Sequence, residues 1–204
     1  MENINFIFSI AILIFSVVVH EVSHGYAAYV QGDKTAEYEG RLTLNPVKHL
    51  DPIGSFIIPL LSYQIGGFII GWAKPVPFNP YNLRNKKWGE ALVAAAGPAS
   101  NLIIALIFGL IIRFAPADLF PLSFFNIMAM IAYINVILAL FNLMPVPPLD
   151  GSKILFAFLP VTSNARNFLE RNGLILSILA IFFLWPVLRP LVGIVFTLIT
   201  GHAE

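Results

Sequence analysis

Long apolar runs alternate with short polar stretches along this chain of 204 residues. Because about 20 apolar residues suffice to cross a bilayer, four of the runs predict membrane-spanning helices. The four runs cover approximately residues 5–30, 90–114, 124–144 and 174–200. The last run contains Pro186 and Pro190, so we expect it to be kinked or divided into two shorter pieces.

A fifth apolar stretch, residues 53–72, is barely long enough to cross and is interrupted by Pro59, Gly66 and Gly67. The loops on either side, 31–52 and 73–89, both contain lysine and arginine, which collect in cytoplasmic loops. If the stretch dips into the membrane and returns, both basic loops are cytoplasmic, whereas a crossing would separate them. The pattern therefore favours a re-entrant segment.

Two shorter patterns predict β-strands at the cytoplasmic membrane face. Polar and apolar side chains alternate from residue 35 to 44, which is typical of a strand or hairpin. Residues 74–79 are rich in proline, which confines such a stretch to the edge of a sheet. The expected fold is an all-α polytopic membrane protein with a re-entrant segment and short strands, forming one membrane-embedded domain over residues 1–204.

Composition supports a membrane protein and limits its chemistry. Hydrophobic residues make up 58% of the chain and charged residues 11%, whereas a soluble domain carries roughly 25% charge. The net charge of +1 argues against a nucleic-acid partner. The absence of cysteine excludes a disulfide framework, a thiolate zinc site and a cysteine nucleophile. Any metal must therefore be held by nitrogen and oxygen ligands.

The first apolar run contains a candidate metal site, His20, Glu21 and His24, in the pattern H-E-x-x-H. Apart from two tyrosines, these are the only ionisable side chains from Phe6 to Val30, and such groups in a membrane helix usually have a function. A four-residue spacing places both histidines on one helix face, where they can bind one zinc ion beside the glutamate. The alternative is that the histidines only form hydrogen bonds between helices.

A catalytic zinc usually has three protein ligands, and Asp150 is the candidate for the third. It follows a proline-rich stretch and is the only carboxylate between Asp118 and Glu170. By local pattern alone, Asp150 could equally cap a short helix over residues 151–159. Topology favours the ligand, because the third span ends on the side where His24 lies and an unwound segment can fold back to that depth.

Three motifs occur in order along the chain: His20-Glu-Val-Ser-His24, Gly97-Pro-Ala-Ser-Asn101 and Asn142-Leu-Met-Pro-Val-Pro-Pro-Leu-Asp150-Gly. Together they resemble the signatures of the site-2 protease family of intramembrane zinc metalloproteases, over roughly residues 10–160. The resemblance implies a three-helix catalytic core, about residues 5–160, followed by a C-terminal helical segment, about 174–200. The PDZ and CBS domains of larger members are missing, so the chain resembles the minimal form.

The resemblance also implies roles for individual residues. His20, His24 and Asp150 would bind Zn²⁺, with no further cofactor. Glu21 would be the catalytic base, and Asn142 would lie beside the metal and help to hold the substrate. The middle motif would shape the core without taking part in catalysis. The expected reaction is hydrolysis of peptide bonds in or near transmembrane segments of membrane-protein substrates.

Two other functions remain open, a divalent-metal transporter and a non-catalytic membrane scaffold. A transporter would need an acidic path, but Glu21 is the only membrane-embedded carboxylate before Asp150. The intact glutamate argues against the scaffold. We expect a multi-pass protein of the cell membrane, with its active site toward the cytoplasm and a homo-oligomer left open. Residues 74–79, or the strand within 35–44, would bind the unwound transmembrane substrate by β-augmentation.

Overall fold

Six α-helices form most of the part of the chain that the computed structural model describes, which is residues 2–58, 61, 64, 73–116, 118–160 and 164–201. They are α1 (Glu2–Val30), α2 (Thr35–Tyr38), α3 (Gly89–Phe114), α4 (Leu122–Asn142), α5 (Asp150–Phe156) and α6 (Asn164–Thr200). Two 3₁₀ turns, Pro46–His49 and Pro80–Asn82, and a π-helical turn, Ile53–Ile57, lie in the connections. The described residues contain no β-strand.

Four helical segments are long and apolar enough to cross a membrane. They are Ile7–Val30 of α1, all of α3, all of α4, and Phe183–Thr200 of α6. Large apolar side chains such as Phe15, Ile103 and Phe183 are exposed on their outer surfaces, as expected of side chains that face lipid. The prediction of a multi-pass helical membrane protein is therefore confirmed.

The C-terminal helix α6 is one continuous helix, although two shorter pieces were among the expectations. It runs through Pro186 and Pro190 without interruption; membrane helices tolerate proline where neighbouring groups satisfy the freed carbonyls. It also begins at Asn164, earlier than the expected start near residue 174. In the added turns Arg166 and Glu170 form an ion pair at 2.8 Å, the i,i+4 spacing that stabilises helices.

Helix α3 lies at the centre of the fold and packs against α1, α4, α5 and α6. Small side chains permit these contacts, as is common between membrane helices. Ala105 is fully buried and belongs to a cluster with Val136 of α4 and Val192 of α6. A Cβ added to Gly109 would lie 2.2 Å from Cγ2 of Ile199, so α6 can approach α3 this closely only because residue 109 is glycine.

The two basic loops that flank residues 53–72 lie against each other. The Lys74 N–H donates to the carbonyl of His49 at 2.8 Å, and Nη2 of Arg41 donates to the carbonyl of Lys74 at 2.7 Å. The predicted re-entrant segment itself falls largely on residues outside the described ranges. The described residues on either side of it, His49 and Lys74, are in direct contact.

The strand predicted within residues 35–44 is wrong, because Thr35–Tyr38 forms the short helix α2. The Asp33 side chain accepts hydrogen bonds from the backbone N–H and the hydroxyl of Thr35, at 3.3 and 2.6 Å. The Asp33 side chain thus satisfies the backbone N–H of Thr35, a donor that would pair with a neighbouring strand if this segment were itself a strand. Alternating polarity alone did not reveal this local bond.

Residues 74–79 also lack the predicted strand pairing. Their backbone N–H groups donate to side chains and loops instead: the Val76 N–H donates to Glu21 at 2.9 Å, and the Asn79 N–H donates to Asp33 at 2.7 Å. Both acceptors belong to α1 or to the turn that follows it. Side-chain acceptors thus take the place of a neighbouring strand.

Candidate metal centre

His20 and His24 lie one turn apart on α1, and both side chains are buried. Their Nε2 atoms are 3.0 Å apart. A carboxylate oxygen of Glu21, from the same turn of helix, completes a group whose ligand atoms all lie within 4.8 Å of one another. A single turn of α1 thus gathers the residues of the H-E-x-x-H motif at one point.

Asp150, the first residue of α5, brings a carboxylate to the same point from a different part of the chain. Its Oδ2 lies 3.1 Å from Nε2 of His20 and 3.2 Å from Nε2 of His24. Two ligand atoms that each lie about 2.0 Å from a tetrahedral zinc ion are about 3.3 Å from each other. The three atoms therefore have nearly the spacing of three corners of a tetrahedral zinc site.

Two glycines permit this convergence. A Cβ added to Gly97 of α3 would lie 2.5 Å from Cε1 and Nε2 of His24 and 2.6 Å from Cε1 of His20. A Cβ added to Gly151 would lie 2.1 Å from the carbonyl oxygen of Leu143, at the end of α4. Helix α3 can therefore lie against both imidazoles, and α5 can start directly beside the end of α4.

Hydrogen bonds at the outer nitrogen of each imidazole select its tautomer. Nδ1 of His24 lies 2.7 Å from the carbonyl oxygen of Val93, which can only accept, so this nitrogen carries the hydrogen. Nδ1 of His20 lies 2.6 Å from Oδ1 of Asn101, whose amide nitrogen donates to Asn135 at 2.8 Å. Both neutral imidazoles therefore present a bare lone pair on Nε2.

The resulting donor set fits a zinc ion. Two imidazole lone pairs and a carboxylate oxygen converge within 3.0–3.2 Å of one another, with no hydrogen between them in these tautomers. Three such electron-pair donors repel one another unless a cation lies among them. Nitrogen and oxygen ligands in this number, with the other imidazole nitrogen hydrogen-bonded, are typical of catalytic zinc sites.

Glu21 is half-buried beside this group, and its Oε2 accepts a hydrogen bond from the backbone N–H of Val76 at 2.9 Å. The Val76 side chain is buried against α1, with Cγ1 only 2.9 Å from the position of a Cβ on Gly25. Residues 74–79 therefore lie across α1 next to the predicted base.

Asn142, the second predicted catalytic residue, makes a local contact. Its amide nitrogen donates to the carbonyl of Leu138, one turn earlier in α4, at 2.9 Å. The residue is half-buried near the end of the helix, before the proline-rich connection to Asp150. A position beside the metal stays a prediction for Asn142.

Ser16, Asn101 and Asn135 form a group of polar residues beside His20 that the sequence motifs do not predict. All three are buried, and they are joined by hydrogen bonds to one another and to His20. Of the three, only Asn101 belongs to a motif of the resemblance, which implies support of the core, including bonds across helices; the other two have no role in it. The available signal was an amide in the middle of an apolar helix, since polar groups at that depth need partners.

The fold and the site together define a class of protein, a multi-pass membrane metalloprotein with a histidine–glutamate–histidine group whose histidines are buried. Comparison with known families then gives a more specific result. The chain belongs to peptidase family M50, whose model matches residues 8–119 and 111–185. The resemblance to the site-2 protease family is thereby confirmed.

Curated relatives have names that agree with the family. A protein of Bacillus subtilis (strain 168) named "Putative zinc metalloprotease YwhC" is 38% identical over 190 residues, which cover 87% of this chain and 84% of that protein. Rip2 of Mycolicibacterium smegmatis, named with the same description, is 36% identical over 149 residues, which cover 72% of this chain and 55% of that protein. No solved structure matches the chain significantly.

Family membership, together with four apolar helices and the metal-binding group, identifies the chain as an intramembrane zinc metalloprotease. The predicted enzyme class and the predicted Zn²⁺ cofactor are confirmed. The alternative of a divalent-metal transporter receives no support from these findings.

Proposed function

We propose that His20, His24 and Asp150 hold the zinc ion of this intramembrane metalloprotease and that Glu21 is its general base. The observation that carries the proposal is the convergence of the two Nε2 atoms and Oδ2 within 3.0–3.2 Å, with both imidazole hydrogens turned away. Zinc bound there supplies a Lewis acid that acidifies water and polarises a substrate carbonyl. Glu21 takes the proton from the attacking water and passes it to the leaving amine.

The hydrogen bond from Val76 supports this role for Glu21. A carboxylate has about four lone-pair sites, so one bond from a backbone N–H at 2.9 Å orients the group and leaves capacity to accept a proton. Glu21 also lies on the same turn of α1 as the two proposed ligands. The base is therefore held next to the position where water would be activated.

For the substrate we propose that residues 74–79 bind a locally unwound transmembrane segment through backbone hydrogen bonds. A helix hides its carbonyls, so the substrate must unwind, and an extended peptide can then be held by backbone hydrogen bonds. The proposal is supported by the position of the segment beside Glu21 and by its anchors, Arg41, Glu21 and Asp33. Asn142 would contact the substrate from the other side of the site.

For the topology we propose a re-entrant segment within residues 53–72 and an active site toward the cytoplasm of the cell membrane. The contact between the basic loops 31–52 and 73–89 supports this arrangement, because both loops would then obey the preference of lysine and arginine for the cytoplasm. We also propose that residues 1–204 act as one domain, since α6 packs against α3 and α4 of the core.

The experiment that tests the proposal pairs zinc content with cleavage. Wild type, Glu21→Gln and Asp150→Ala are purified in detergent, their zinc is measured by mass spectrometry, and each is incubated with a synthetic transmembrane substrate. We expect about one zinc per chain in wild type, retained zinc without cleavage in Glu21→Gln, and loss of zinc in Asp150→Ala. Cleavage by Glu21→Gln, or full zinc in Asp150→Ala, would contradict the assigned roles.

A further inference from the structure

We infer that Ser16 and Asn135 are positioning residues for His20, acting through Asn101 to fix the tautomer of this imidazole. The inference rests on the proposed function, because it takes His20 as a zinc ligand. Neither Ser16 nor Asn135 belongs to the motifs that carry the resemblance, and their hydrogen bonds go to each other, to Asn101 and to the carbonyl of Ile131.

The three polar residues come from three different helices, and a continuous series of hydrogen bonds joins them to the metal site. Asn101 of α3 has its Oδ1 2.6 Å from Nδ1 of His20 and donates from Nδ2 to Oδ1 of Asn135 at 2.8 Å. Asn135 of α4 donates from Nδ2 to the hydroxyl of Ser16 on α1 at 2.9 Å. Both asparagines are 0% exposed.

A backbone carbonyl determines the orientation of both asparagine side-chain amides. Nδ2 of Asn135 also lies 2.9 Å from the carbonyl oxygen of Ile131, and a carbonyl can only accept. That end of Asn135 must therefore be its nitrogen, so the end that faces Asn101 is the oxygen. The end of Asn101 that donates to this oxygen is its nitrogen, and its own oxygen faces His20.

The orientation of Asn101 then decides which nitrogen of His20 is protonated. An oxygen at 2.6 Å from Nδ1 requires the hydrogen on Nδ1, which leaves the lone pair of Nε2 pointing at Asp150. If the amide of Asn101 rotated, its nitrogen would face Nδ1 and favour the tautomer with hydrogen on Nε2. That hydrogen would occupy the position where a metal ion binds, so zinc affinity would fall.

Asn135 is the main barrier to this rotation. Without it, Nδ2 of Asn101 is left with a longer contact of 3.4 Å to the carbonyl of Ser16. If these residues only held the helices together, their buried amides would need hydrogen-bond partners, but Asn101 would not have to turn its oxygen toward His20. A positioning role and a purely structural role therefore predict different coupling between the effects of Asn135 and Asn101 substitutions on zinc affinity.

The test is a double-mutant cycle on zinc affinity. The zinc dissociation constants of wild type, Asn101→Ala, Asn135→Ala and the double variant are measured by chelator competition on the full chain in detergent. Because a partner of a ligating histidine typically contributes about 10–100-fold in affinity, we expect weakening near the upper end of that range for Asn101→Ala and near the lower end for Asn135→Ala. The double variant should bind zinc no more weakly than Asn101→Ala alone.

Two further variants separate this inference from the ligand assignment. Asn126→Ala removes an exposed amide from the same helix α4 and should leave zinc affinity unchanged. His20→Ala should reduce zinc binding more than any variant of the polar chain; if it does not, the proposed ligand set itself is wrong. If His20→Ala abolishes binding but Asn135→Ala keeps wild-type affinity, the ligand set stands and the positioning role is overturned.

Additive losses in the double variant would likewise overturn the inference, because Asn135 would then act by another route. Thermal unfolding of the zinc-free proteins shows whether each variant is folded. If Asn135→Ala does not fold, Ser16→Ala replaces it in the cycle, since it removes only the hydroxyl that accepts from Asn135. We expect a smaller loss of affinity for Ser16→Ala, and the same absence of any further effect when Asn101 is already alanine.

Discussion

The backbone N–H of Val76 donates a hydrogen bond to Oε2 of Glu21 at 2.9 Å. The two residues are far apart in the sequence, yet the buried Val76 side chain packs against α1 beside Gly25, one turn beyond Glu21. Residues 74–79 and the proposed general base are therefore parts of one arrangement. A change in the backbone of this segment should reach the chemistry without touching a zinc ligand.

We therefore predict that Val76→Pro lowers kcat and leaves zinc content unchanged. Proline has no backbone N–H, so the bond to Glu21 is lost while the residue stays apolar. General-base catalysis typically contributes 10²–10⁴-fold, and a misoriented base should retain part of it, so we expect a loss of about 10-fold or more. The measurement is steady-state cleavage with zinc analysis of the same samples.

The control for this experiment is Val76→Ala, which shortens the side chain and keeps the N–H. Its kcat should stay much closer to wild type than that of Val76→Pro. If the two variants lose activity equally, packing of the side chain, and not the hydrogen bond, determines the effect. Full activity in Val76→Pro would show that Glu21 does not depend on this donor.

Gly97→Ala should strongly weaken zinc binding. The added Cβ would lie 2.5 Å from two ring atoms of His24 and 2.6 Å from Cε1 of His20, so α3 or both imidazoles must move. Misplacing two ligands should weaken zinc binding by at least about 100-fold, the upper end of the effect of losing one supporting contact. Chelator competition measures this, and Ala99→Ser, at an exposed position of the same helix, is the control. Wild-type affinity in Gly97→Ala would show that the helices can separate easily.

Much of this fold could be predicted from the sequence because the bilayer imposes simple requirements. Apolar length alone located five of the six ends of α1, α3 and α4 to within two residues, and the start of α1 to within three. The two histidines at 20 and 24 also required only the period of a helix. The position of these two histidines relative to each other is determined within one turn of α1 and needs no contact with another helix.

Other features depend on contacts that the local pattern does not contain. The alternation in residues 35–44 suggested a strand, but a bond from the Asp33 side chain favours the helix Thr35–Tyr38. Asn135 looked like an isolated polar residue, because its partners Ser16 and Asn101 lie on other helices. Only the packing of three helices shows that these residues lead to His20.

Asp33 should make the loops near the site sensitive to acid. The carboxylate is completely buried and accepts hydrogen bonds from Asn79, Asn82 and Thr35. Burial alone would raise the pKa of Asp33, but the hydrogen bonds outweigh it, so the pKa lies below its ordinary value of 3.8. A depressed pKa means that the contribution to stability is fully present above pH 3.8 and is lost as the pH falls through the folded-state value.

The corresponding prediction concerns Asp33→Asn. At neutral pH this variant should unfold at a lower temperature than wild type, because an amide nitrogen would face groups that are themselves donors. As the pH falls from 3.8 through the folded-state pKa the difference should shrink, because the charge of Asp33 then contributes less to stability. Apparent Tm between about pH 3 and 7 measures this, with Glu39→Gln at an exposed position as the control. A difference that does not change with pH would contradict the role of the charge.

Arg41 should affect substrate binding more than zinc binding. Its buried side chain donates from Nη2 to the carbonyls of Lys74 and Pro75, at 2.7 and 3.2 Å, and so holds the start of the proposed substrate-binding segment. Lysine has a single flexible ammonium group and cannot reproduce the planar donor arrangement of arginine.

For Arg41→Lys we therefore predict a KM several-fold higher, equivalent to about 1 kcal/mol for a lost hydrogen bond, with zinc content and kcat close to wild type. Such a pattern indicates loss of uniform substrate binding and not of transition-state stabilisation. Arg84→Lys, at an exposed position of the other basic loop, 73–89, is the matched control and should behave as wild type. A fall in kcat with unchanged KM would instead mean that Arg41 acts through Val76 on the base Glu21, so that the segment serves catalysis and another surface binds the substrate.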